Sequence, residues 1–163
     1  MFDAFLKCDQ IDGESSDEKH KGQIEILSFS WGVSQPSHAS HSASGAGTAE
    51  RVNIQNFSIV HHLDAASPKF FHHCCNGTHL KSVKLELCKA AGDKSKYMEY
   101  SMEDVHVADV RPGGSAQSGE SVPLEEVSFS FKKIELTYTK HDEKGKPKGD
   151  VKHYHDQGLN KGG

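Results

Sequence analysis

The sequence predicts a mainly β fold: a curled two-sheet β-barrel or sandwich with one lateral α-helix and one long extended loop. Three observations predict it. Only 34% of the 163 residues are hydrophobic and mean hydropathy is −0.65, which suits sheets that keep one face toward water. Apolar side chains recur with a period of two over most of the chain, the spacing that gathers them on one face of a strand. In four of these segments the alternation slips by one residue, as it does where a strand bends at a bulge.

Residues 2–9 alternate weakly, with Phe2, Ala4 and Leu6 set against Asp3, Phe5 and Lys7, and read as a first strand ending at the Asp12-Gly13 turn. Residues 14–22 are charged and polar and form a solvated loop. From Ile24 to Gln35 the chain is strand-like, but Ile24 and Ile26 share one parity while Leu27, Phe29 and Trp31 share the other. Leu27, Phe29 and Trp31 are expected to pack inward, which places Ser28 and Ser30 on the opposite face. The same slip separates Val52 and Ile54 from Phe57 and Ile59; Met98, Tyr100 and Met102 from Val105 and Val107; and Val127, Phe129 and Phe131 from Ile134, Leu136 and Tyr138. Each segment is either one long strand bent at a bulge, as a closing barrel requires, or two short strands.

Residues 34–49 contain no large apolar side chain and cannot bury themselves, so they form either a disordered insert or an arm that grips a neighbour. One helix is expected. It begins at Ser67-Pro68, where serine can cap free N–H groups and proline fits the first turn, and ends at Asn76-Gly77, whose glycine supplies a left-handed C-cap. Phe70, Phe71, Cys74 and Cys75 form its apolar stripe. A clean strand follows, Val83-Leu85-Leu87 against Lys84-Glu86-Cys88, then a turn at Ala91-Gly92-Asp93. A long strand runs from Tyr97 to Val110, a Pro112-Gly113-Gly114-Ser115 loop follows, and the last long strand spans Glu125 to Thr139. Residues 140–163 are rich in Lys, His, Asp and Gly and read as a flexible tail with one short strand near Val151–His155. The domain reading is a single β domain over 1–139, with 34–49 its extended loop, followed by that tail.

Composition excludes several functions. A net charge of −4 and a pI near 6.3 give no global basic field for nucleic acid. No apolar run is long enough to span a membrane, and Met1–Lys7 lacks the pattern of a secretory signal, so export requires a signal-peptide-independent route from the cytoplasm. The cysteines Cys8, Cys74, Cys75 and Cys88 include no C-x-x-C pair and read as reduced thiols, with Cys8 and Cys88 as small buried hydrophobes.

Twelve histidines raise the question of metal. His72-His73-Cys74-Cys75 is not a ligand set, because consecutive helical residues point about 100° apart. His38 with His41, and His153 with His155, are weak chelators whose titration would make association pH-sensitive. No G-x-S-x-G elbow, phosphate-binding loop or H-E-x-x-H helix is present. Asp64 beside His61 and His62 is explained by a strand-to-helix junction. The expectation is no enzyme, no catalytic residue, no metal and no cofactor.

Six ordered blocks carry a resemblance: F-D-A-F-L-K, I-D-G-E-S-S-D, I-E-I-L-S-F-S-W-G, V-N-I-Q-N-F-S-I, L-D-A-A-S-P and E-E-V-S-F-S-F-K-K-I-E-L-T-Y, spanning residues 2–138. In this order and spacing the chain resembles the Hcp (haemolysin-coregulated protein) family, the tube-forming subunits of bacterial type VI secretion. It departs from the family at His61-His62, at His72-His73 and in a tail, V-K-H-Y-H-D, that lacks the expected tryptophan. The resemblance implies a curled barrel with a lateral helix, assembled as a homohexamer whose rings stack into a tube. A contractile sheath expels that tube, a spike protein tips it, and its lumen carries effector proteins. On this reading Ser28 and Ser30 are lumen or effector contacts, and Ser37, His38, His41, Gly45 and Gly47 belong to an inter-ring loop. The alternatives from other classes are a secreted β-sandwich binding module, a histidine-rich metal-binding protein and a small hydrolase.

Overall fold

The long C-terminal strands organise the molecule, because each offers backbone N–H and C=O groups for pairing on both of its edges. A computed structural model describes residues 1–36 and 51–163. Strand β9 (Leu124–His141) pairs along its length with β8 (Lys96–Gly113). Its other edge is divided. The first half takes β6 (Phe57–His62), and the second takes β10 (Pro147–Asp156), which β11 (Lys161–Gly162) extends. Beyond β8 lie β7 (Leu80–Lys89), then β1 (Phe2–Cys8), then β2 (Ile24–Ile26), all antiparallel.

Strand β3 (Ser28–Ser30) leaves this order and pairs with β6. Residues 24–30 therefore run from the β1 edge to the β6 edge, and the Leu27 N–H donates to the Val60 carbonyl at 2.8 Å at the handover. The nine-stranded sheet curls so that its far edges share one segment, without a continuous ladder around the circuit. A second sheet is the two-stranded ladder of β4 (Val33–Ser34) and β5 (Asn53–Ile54). The mainly β architecture expected from the sequence is present.

The four phase slips resolve in two ways. At 24–31 and 52–59 the chain breaks into separate short strands. In β8 and β9 the strands continue, and their slips lie opposite each other: Met102 pairs with Ile134 and Val105 with Phe131, all four buried. Each strand steps three residues between core positions at the same place, so the sheet bends without a register shift there. Asp104 takes up the step at φ 52°. The shift in this ladder comes later, between Val107 and Asp109.

Several expectations need correction. Leu27 is 50% exposed, because at the handover the core positions are filled by Ile26 before it and by Phe29 and Trp31 after it. Phe29 and Trp31 stack on Phe57, each with ring centroids 6.0 Å apart. The polar stretch 14–22 is not wholly solvated, since Ser15 and His20 are buried. The strand expected near Val151–His155 is ten residues long and pairs with β9 in one register from Lys133 to Lys140, with a shift between Gly149 and Pro147 before His141. Its start is set by Asp142, whose carboxylate accepts the N–H groups of Lys144 and Lys146 at 2.9 Å. Strand β9 itself runs to His141.

Helix α1 (Ser67–Asn76) has the expected limits, and Gly77 closes it at φ 66°. Its stripe is different. Phe70 and His73 are buried and Cys74 is partly so, whereas Phe71 is 64% exposed and Cys75 is on the outside. Positions i, i+3 and i+4 share a helix face, while i+1 is rotated about 100° away. The Ser67 hydroxyl does not cap the helix; it accepts the N–H of Asp64, and the Asp64 carboxylate accepts that of Ala66. The core these elements enclose is led by Phe57, Phe70, Phe129, Leu6, Ile24 and Met102.

Candidate functional site

Alternation in β3, β6 and β9 sorts side chains onto two faces. Toward the core, Phe29 pairs with Ile59 and Ile59 with Val127. On the opposite face Ser30 pairs with Ser58, Ser58 with Ser128, and Ser128 with Asp109. The parallel row is Ser28, Val60, Glu126 and Arg111. The Ser58 and Ser128 hydroxyls share a hydrogen bond of 2.8 Å, and Arg111 Nε donates to Asp109 Oδ2 at 2.8 Å.

Ser28 and Ser30 are exposed at the rim of this face, with Ser58 and Ser128 half-buried beside Ser30. The result is a low-relief polar wall, because a serine projects little beyond the backbone and its hydroxyl can both donate and accept. Sequence reasoning singled out Ser28 and Ser30 but missed Ser58 and Ser128. The signal was available: S-F-S occurs at 28–30 and again at 128–130, and F-S-I at 57–59 has the same alternation. Ser37, His38, His41, Gly45 and Gly47 lie outside the described residues.

Several other chemistry-bearing residues stand apart from this face. His61 is fully buried, with Nε2 2.9 Å from Glu125 Oε1. His73 Nδ1 donates to the Lys69 carbonyl at 2.8 Å, within its own helix. His79 Nδ1 bonds the Asp104 carboxylate at 2.6 Å on the surface, and its ring lies 3.6 Å from that of His106. Burial, reinforced by nearby carboxylates, pushes the Cys8 thiol up to about 12 and the Cys88 thiol up to about 11, far from the range of a reactive nucleophile.

The family model of the type VI secretion system effector Hcp matches residues 5–138, most of the chain. This chain belongs to the Hcp family. It is 34% identical over 137 residues to protein hcp1 of Pseudomonas aeruginosa, a match covering 83% of this chain and 82% of that protein. Hcp1 from Salmonella typhimurium superposes with a TM-score of 0.79 at 34% identity, over 99% of this chain and 98% of that one. A solved type six secretion system protein superposes with a TM-score of 0.92 at 29% identity over the full length of both. Hcp proteins are structural proteins of the type VI secretion tube and not an enzyme family. No helix among the described residues of this Hcp is long and apolar enough to cross a membrane.

Proposed function

We propose that this Hcp chain forms homohexameric rings that stack into the secretion tube, with the serine-bearing face of β3, β6 and β9 lining the channel and meeting effector proteins carried inside. The observation that carries the reading is the cross-strand row Ser30, Ser58, Ser128. It sets small hydroxyls over a layer of fully buried Phe57, Ile59, Val127 and Phe129. A rigid core behind a hydrated, low-relief surface is what a channel wall needs to hold cargo without trapping it. The chain is made in the cytoplasm, enclosed by the contractile sheath, tipped by the spike protein and exported without a signal peptide. Ser37, His38, His41, Gly45 and Gly47 belong to the contact between stacked rings.

A second feature supports self-assembly. Trp31, Val33 and Ile54 on one side, and Ile134, Leu136 and Tyr154 on the other, line an open groove of about 580 Å³. A groove of mainly apolar lining beside an edge ladder suits a neighbouring copy of the same chain.

Negative-stain imaging and native mass of the purified chain test the ring directly; a six-fold particle is expected, and a monomer would favour a secreted binding module. Ser30→Gln then tests the wall. Its longer side chain should reduce retention of co-expressed effector while rings still form. Unchanged ring formation together with unchanged cargo retention would remove Ser30 from the channel.

A further inference from the structure

The loop before β2 holds one histidine in an arrangement that the secretion role does not use. His20 is 5% exposed, and its ring lies flat against Phe5, with centroids 4.1 Å apart and planes within 3°. Nδ1 is 2.8 Å from Asp17 Oδ1, and Nε2 is 2.8 Å from Glu86 Oε2. Cys88 Sγ, two residues along β7, is 3.8 Å from the same Nε2. The Nε2, carboxylate and thiol atoms all lie within 4.8 Å of one another.

We propose that His20, Glu86 and Cys88 bind a divalent transition-metal ion of the zinc class, with Asp17 orienting the histidine. Carboxylates flank both ring nitrogens and can only accept. A ring with hydrogen on Nδ1 alone turns the Nε2 lone pair toward Glu86, and a cation between them would satisfy both. That arrangement also takes the Cys88 thiol as a ligand, beyond its place as a small buried hydrophobe. A carboxylate on the far nitrogen of a ligating histidine is the recurrent outer support of such sites, fixing the tautomer and raising basicity. One nitrogen, one oxygen and one sulfur suit zinc and its neighbours better than magnesium or calcium.

The spacing agrees. Ligands of a tetrahedral ion at zinc bond lengths lie about 3.3–3.6 Å apart, so Nε2 and Sγ are already near their places, while Nε2 and Glu86 must part by about half an ångström. The lysines nearby do not occupy the site: Lys94 Nζ is 3.3 Å from Asp17 Oδ2, and Lys96 Nζ is 3.8 Å from Glu86 Oε1, in each case the oxygen turned away from the ring. Glu86, with its side chain 21% exposed, forms the side open to solvent and to a completing water. Binding displaces hydrogen from Sγ, and from Nε2 where it is held, to solvent, so affinity rises with pH. The bound ion would fasten the 14–22 loop to β7.

Cobalt(II) is the probe, titrated into the full, tag-free chain after chelator treatment and dialysis. The expected result is one equivalent bound with a sulfur-to-cobalt charge-transfer band in the near ultraviolet, bleached by zinc. Cys88→Ser should abolish the band, and Asp17→Asn should weaken binding by about 10–100-fold, while Cys75→Ser changes neither. Glu86→Gln guards against a folding defect in the buried variants: it should keep the band and weaken binding. No band, a band that survives Cys88→Ser, a band lost with Cys75→Ser, or affinity unmoved by Glu86→Gln would each overturn the site.

Discussion

His61 joins two strands and the helix through one ring. Nε2 meets Glu125 across the β6–β9 ladder, Nδ1 lies 3.7 Å from Asp64 Oδ1, too far for a hydrogen bond but close enough for charge attraction, and the ring edge packs on Phe70 at 5.8 Å. Burial pushes its pKa down, but the carboxylates of Asp64 and Glu125 outweigh that and hold it above its ordinary value. The sign follows from linkage: a pKa raised by folding adds stability that is fully present below the unfolded value near 6.5 and is lost as pH rises through the folded value. The urea midpoint of wild type should therefore exceed that of His61→Gln most at about pH 6 and converge toward it as pH rises. A flat difference would mean that the ring is not charged in the fold. Glu125→Gln, which leaves the buried ring with a weaker partner, should cost up to about 3–5 kcal/mol near that lower pH. Asp64 was legible as part of a strand-to-helix junction because its neighbours in sequence define one. Glu125 was not legible as a partner, since only the register of two strands far apart in the chain brings it to His61.

Helix α1 shows where periodicity informs and where it stops. Its limits were readable because proline and glycine act locally, through a fixed φ at the start and a left-handed residue at the end. The choice between Phe70 and Phe71 was not, because two adjacent apolar residues fit a stripe equally until the angle of docking is known. Phe70 fills the space against Phe129, with ring centroids 5.9 Å apart. Phe70→Ala should lower unfolding free energy by about 3–5 kcal/mol, whereas Phe71→Ala should stay within about 0.5 kcal/mol of wild type; equal losses in denaturant titrations would mean that both rings are core. The strands repeat the lesson. Their phase slips were visible as parity changes, but whether a slip became a break or a bend depended on partners. Between Ile26 and Leu27 the chain changes edges and breaks. At Met102–Val105 the partner strand slips in step, and the ladder survives. Strand β10 escaped at full length because backbone pairing to β9 holds it, and its polar side chains carry no apolar alternation to read.

At the scale of the whole molecule, the two-residue ladder of β4 and β5 matters more than its size suggests. Val33 pairs with Ile54 and Ser34 with Asn53, so the chain is already brought together at the base of the segment between them. Deleting residues 36–48 should leave the subunit folded and ring formation intact while abolishing ring stacking, as read by negative-stain images and light scattering. Rings that still stack would move the axial contact elsewhere on the subunit. The other large-scale feature is the divided edge of β9. Strand β6 finds its outer partner only there, with Ser58 and Ser128 separated by 70 residues, and β1 must await β7. As the chain leaves the ribosome, its N-terminal third therefore carries exposed strand edges that nothing yet synthesised can cover. The serine-bearing face is finished late, by the last third of the chain, and a message cut short before β9 yields a sticky fragment instead of a smaller fold.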